Sequence, residues 1–151
     1  MPVILIVEDD PDVRDLVGRL LSAAGYSVRY ASNGWEGLLA TEARVDLVLL
    51  DMMMPGMDGV SFLKTLRNHP AGKDVPVVVL TAMDRDEVEP LVAPFRVTSI
   101  LVKGPTLFAD LKVVLMRTLV KPRPHARVTL PEPGSLVRPY LDLYLKTLAW
   151  G

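Results

Sequence analysis

The chain has 151 residues, 50% hydrophobic and 23% charged, with a net charge of -1. That is enough for one well-packed domain with an appendage, and the near-neutral charge gives no overall attraction for DNA. Cysteine is absent, which excludes disulfides and thiolate metal sites, and no apolar run reaches the roughly 18–20 residues of a membrane span. The N-terminus lacks a basic segment ahead of a long apolar one, so a secretory leader is not expected and the compartment expected is cytoplasmic.

Along the chain, short apolar runs alternate with amphipathic stretches. Val3 to Val7 is apolar on every side chain, as a parallel strand covered on both faces must be. Asp10 and Pro11 then read as a helix cap and first helical residue, followed by Val13, Leu16, Val17, Leu20 and Leu21 at helical spacing. Gly25 is a helix stop. Ser27 to Ala31 reads as a second strand, and Asn33 caps a short helix carrying Trp35, Leu38 and Leu39. Leu47 to Leu50 is a third strand, and Asp58 caps a helix with Val60, Phe62, Leu63 and Leu66 on its inner side. Pro76 to Leu80 and Ile100 to Val102 are strands four and five. Thr106 to Leu119 closes the series as a helix with Leu107, Leu111, Val114, Leu115 and Thr118 along one side. Residues 120–139 contain five prolines and read as a linker or extended arm; 140–151 read as a short helix or tail. Residues 121–151 carry a net charge of +3, which leaves -4 for the remainder.

Five strands alternating with helices predict an α/β fold over residues 1–119: an open, doubly wound parallel sheet of flavodoxin-like order 2-1-3-4-5. Ligands of such sheets bind at the carboxyl ends of the strands. Glu8, Asp9, Asp51, Thr81 and Lys103 all fall there. Carboxylates converging on one edge repel each other unless a cation shares the site, and an all-oxygen ligand set favours a hard ion such as Mg²⁺. Asp51 could then attack phosphorus to form an acyl phosphate, with Lys103 neutralising charge and the Thr81 hydroxyl bonding a phosphoryl oxygen.

The segments Ile6-Val7-Glu8-Asp9-Asp10, Asp51 through Gly59, Leu80-Thr81-Ala82 and Lys103 resemble the receiver domain of two-component response regulators. Spacings of 42, 30 and 22 residues along Asp9, Asp51, Thr81 and Lys103 also resemble the family's. The resemblance implies that Asp51 is the phosphoacceptor, that Asp9, Asp51 and the Met53 backbone carbonyl bind Mg²⁺ with Glu8 acting through water, and that Thr81 and Lys103 hold the phosphoryl group. It implies a sensor histidine kinase or phosphotransfer protein as donor in a phosphorelay. The domain would assist its own phosphorylation and dephosphorylation without being an enzyme in the usual sense.

Three departures bear on output. Ile100 stands where the family has an aromatic switch residue, and Gly104, followed by Pro105, stands where the family has a proline after the lysine. Pro90 and Pro94 interrupt the fourth helix at about 3 kcal/mol for an interior proline, so that helix is expected to be short or irregular. The residues after Leu119 are too few for a DNA-binding unit, so output is expected through an unknown protein partner, homodimerisation or a relay. The alternative is a pseudo-receiver acting as a constitutive protein-interaction module. A small-molecule phosphatase is disfavoured because Met53 occupies the place of its general acid.

Overall fold

The computed structural model describes residues 1–119; the expected linker and terminal helix lie outside the described residues. Five parallel strands form one sheet in the order β2-β1-β3-β4-β5. They are β1 (Val3–Val7), β2 (Ser27–Ala31), β3 (Leu47–Asp51), β4 (Val77–Thr81) and β5 (Ser99–Val102). Every residue of β3 and β4 is buried, which is why these central strands are continuously apolar. Edge strand β2 is only partly covered and tolerates Ser27 and Arg29.

Two boundaries matter for the site. Asp51 still pairs with Leu80, and Thr81 with Val102, so both polar residues are the last rungs of their ladders rather than the first residues of loops. At the other end Pro76 falls just outside β4: it has no N–H to donate, and its carbonyl accepts the Val48 N–H at 2.9 Å.

The helices are α1 (Pro11–Ala23), α2 (Gly34–Ala40), α3 (Gly59–Asn68), α4 (Arg85–Val92) and α5 (Leu107–Leu119). Their starts are chemically marked. Asp10 accepts the Asp12 and Val13 N–H groups, Asn33 the Glu36 N–H, and Asp58 the Ser61 N–H. After α1 the chain reverses at Gly25, whose φ of +95° suits glycine.

Leu5, Val7, Val48, Leu50, Val77 and Val79 form one apolar cluster with Phe62, Leu63 and Leu66 of α3 and Val88 and Val92 of α4. The alternate strand residues face the opposite way, and Val17 and Leu21 of α1 are buried. In α2 the inward positions belong to Gly34 and Gly37; a Cβ on Gly37 would lie 2.9 Å from both Phe62 and Val7. That close approach turns Trp35 and Leu39 outward, leaving them 66% and 73% exposed.

The fourth helix is short, as expected. Pro90 sits inside α4 and deprives it of one backbone hydrogen bond. The helix gives way to a 3₁₀ turn, Ala93–Phe95, and then to Arg96 in a left-handed conformation at φ 54°. Arg67, at the end of α3, is wrapped in carbonyls. Its guanidinium donates to Val75 (2.7 Å), Phe95 (2.8 Å) and Gly72 (2.9 Å), with longer bonds to Lys73 and Arg96.

Met1–Leu107 is one compact unit and Phe108 opens a second. Of the second, α5 is described, and its Leu111 and Leu115 are buried. No helix among the described residues is long and apolar enough to cross a membrane.

Candidate functional site

The strand order reverses at β1, which has β2 on one side and β3 on the other. A crevice opens at such a point beyond the carboxyl ends of the strands. Glu8 and Asp9 follow β1 directly. Backbone bonds hold the Glu8 peptide on both sides: its N–H donates to Ala31 at the end of β2 (3.1 Å), and its carbonyl accepts from the Arg14 guanidinium (2.9 Å). Asp51 ends β3, and its Oδ1 accepts the Met53 N–H at 3.2 Å.

Lys103 arrives from β5, where its N–H donates to the Thr81 carbonyl at 2.7 Å. Its side chain crosses β4 to place Nζ 3.2 and 3.3 Å from the two Glu8 carboxylate oxygens and 3.4 Å from Asp51 Oδ1. Glu8, Asp9 and Asp51 each offer an oxygen within 4.8 Å of the others. Thr81 is fully buried at the tip of β4, and its hydroxyl accepts the Met83 N–H at 3.0 Å. The Met53 side chain is 64% exposed, whereas Met52, Met54 and Met57 are buried. Ile100 is buried within the apolar cluster beside Val79 and Val92. Arg14 is the residue that sequence reasoning missed; a guanidinium bonded to a main-chain carbonyl leaves no pattern in side-chain types.

One ammonium faces three carboxylates, so the crevice keeps a negative balance. Burial is the main reason Glu8 is pushed up to about 7, with the Asp51 charge adding and Lys103 opposing. Burial also raises Asp51, against the pull of Lys103 and the Met53 N–H. An all-oxygen cluster of this kind, short of positive charge, fits a hard divalent cation.

A pH dependence follows. Between about pH 4.5 and 7 the folded protein keeps the Glu8 proton that the unfolded chain has released. Glu8 therefore makes the metal-free protein less stable as pH rises through that window, by on the order of 2–3 kcal/mol. Mg²⁺ should raise the melting temperature more at pH 8 than at pH 5.5, and Glu8→Gln should flatten the metal-free pH trend. A melting-temperature gain from Mg²⁺ that is equal at both pH values would contradict this account.

The sequence profile of the response regulator receiver domain matches residues 4–107. The chain belongs to that family. Among relatives of this receiver, the response regulator MprA of Mycobacterium sp. is 40% identical over 149 residues, covering 96% of this chain and 60% of that protein. A Synechocystis protein, the DNA-binding dual master transcriptional regulator RpaA, is 44% identical over 84 residues, or 55% of this chain and 35% of that protein. The receiver chain thus spans only part of the length of these curated relatives. Among solved structures, the Vibrio cholerae chemotaxis protein CheY4 superposes with a TM-score of 0.71 at 34% identity, covering 78% of this chain and 98% of that one. The receiver domain of the sensor histidine kinase PA1611 from Pseudomonas aeruginosa, solved with a magnesium ion coordinated in its active-site cleft, gives 0.72 at 27% identity, covering 80% of this chain and 98% of that one.

Proposed function

We propose that Asp51 accepts a phosphoryl group from a sensor histidine kinase or phosphotransfer protein, and that the phosphorylated receiver signals through protein contacts. The observation that carries this reading is the Lys103 ammonium drawn between buried Glu8 and Asp51, with Asp9 completing the carboxylate cluster. In the proposed step an Asp51 carboxylate oxygen attacks phosphorus. The P–N bond of the donor phosphohistidine breaks as the P–O bond forms, and the released imidazole nitrogen is protonated from solvent.

Asp9, Asp51 and the Met53 carbonyl would hold Mg²⁺, with Glu8 acting through water. When bound, the ion supplies positive charge beside the transferring oxygens. Lys103 brings a second positive charge that can shift from Glu8 toward the phosphoryl group. The Thr81 hydroxyl, already accepting from Met83, still has its own proton to donate to a phosphoryl oxygen. The receiver unit is read as residues 1–119 in the cytoplasm, with homodimerisation or an output protein downstream. The net charge of -4 outside residues 121–151 supports protein contacts over DNA for this unit.

Incubation with Mg²⁺ and acetyl phosphate or phosphoramidate should give a mass increase of one phosphoryl group. Asp51→Asn should remove it. Buried Ile100 favours a second reading, a constitutive interaction module, because this position holds no ring to swing between sites. Absence of any adduct with every donor tried would select that reading.

A further inference from the structure

We infer that Arg14 is a positioning residue for the metal-binding acids; this rests on the Mg²⁺ site of the preceding reading. Arg14 lies in the first turn of α1, where its own N–H is tied to the Asp10 carbonyl at 2.9 Å. Its side chain turns back toward the sheet edge and donates from Nη1 to the Glu8 carbonyl, also at 2.9 Å. The Glu8–Asp9 peptide to which that carbonyl belongs carries one acid on each side. On the Glu8 side the chain is pinned by the bond to Ala31 of β2. On the Asp9 side Arg14 holds the peptide plane in place before the chain reaches the Asp10 cap.

The two acids depend on this bond to different degrees. Glu8 is also held through its carboxylate by Lys103. Asp9 is half-buried, and Arg14 orients the peptide from which it hangs. A divalent ion with strict octahedral demands is sensitive to where each oxygen starts, and loss of partners behind the ligands typically costs 10–100-fold in affinity. Arg14 also lines an open cleft of about 540 Å³ with Pro11, Asp12, Asp15 and Tyr30, so the guanidinium does not owe its place to a packed core. Removing it should weaken metal binding without collapsing the domain.

The test is a Mg²⁺ titration by calorimetry on the full chain, with wild type, Arg14→Met and Arg14→Lys. The dissociation constant of Arg14→Met should rise by about tenfold. Arg14→Lys, which keeps a cationic donor, should recover part of the loss. The rate of phosphoryl uptake from acetyl phosphate should approach wild type once Mg²⁺ saturates the variant, while the Mg²⁺ concentration for half-maximal uptake shifts. A dissociation constant within twofold of wild type in both variants overturns the inference, as does a lowered metal-free melting temperature with unchanged Mg²⁺ affinity. Failure of wild type to bind Mg²⁺ sinks it together with the site. Failure of wild type to form an adduct while the affinity shift is present removes only the phosphoacceptor reading.

Discussion

Replacing Lys103 with Met should slow phosphoryl uptake at Asp51 by 10²–10³-fold, about the effect of removing one preorganised charge from a water-poor site. The ammonium has two tasks that no neighbouring group among the described residues duplicates. At rest it is the cation within bonding distance of Glu8 and Asp51, which are 2% and 4% exposed. In the proposed transfer it would be the charge that follows the phosphoryl oxygens. Its loss leaves two buried carboxylates facing each other. Above pH 7 Glu8 is ionised beside Lys103 in the wild type, whereas in the variant it must stay unpaired or take up a proton. The metal-free variant should therefore lose on the order of 3 kcal/mol of stability there. Near pH 6 the loss should be smaller, because Glu8 holds a proton. Lys103→Arg, with its charge kept but its fork planar, should fall between the two. Initial rates by mass spectrometry and melts at pH 6 and 8 measure both effects; uptake within threefold of wild type would remove Lys103 from the proposed mechanism.

Arg67→Met should cost about 3 kcal/mol of stability, read by urea denaturation, at a position away from the site. The guanidinium satisfies three carbonyls at 2.7–2.9 Å, from Gly72 and Val75 before β4 and from Phe95 before β5. Burial pushes the arginine down from its usual value, and the nearby Arg96 charge pushes the same way. Charge-assisted bonds of this kind are worth more than neutral ones, and the abandoned carbonyls add a desolvation cost. Solvent reaches part of the turn, which tempers the total. Amide exchange at residues 93–99 should speed up while Mg²⁺ affinity stays unchanged, since these loops precede their strands and the acids follow theirs. A loss under 1 kcal/mol would show that water replaces the clamp.

The fold was legible because buried parallel strands carry an unbroken apolar run, and each run here ends in a residue of different chemistry. That contrast located Glu8, Asp9, Asp51, Thr81 and Lys103. It also set the strand ends slightly short: Asp51 and Thr81 look like loop residues by type, yet their backbones still pair. The caps at Asp10, Asn33 and Asp58 were readable because side-chain capping has its own residue preferences. Arg14 and Arg67 were not, because their acceptors are main-chain carbonyls that any residue supplies. The outward turn of Trp35 and Leu39 was hidden too. Helical spacing says which residues share a side of α2, but only the packing of Gly37 on Phe62 and Val7 says which side faces in.

The fourth helix has unequal ends. At Phe95 and Arg96 the chain leaving it is bolted to α3 through Arg67. At Asp84, three residues past Thr81, no side chain caps the first turn, and Pro90 breaks the backbone ladder midway. The helix is thus clamped by side-chain bonds where it ends, and held only by its own backbone bonds to the Asp84 carbonyl and by buried Val88 where it starts. The side-chain fastening of this element lies wholly at the end away from Thr81.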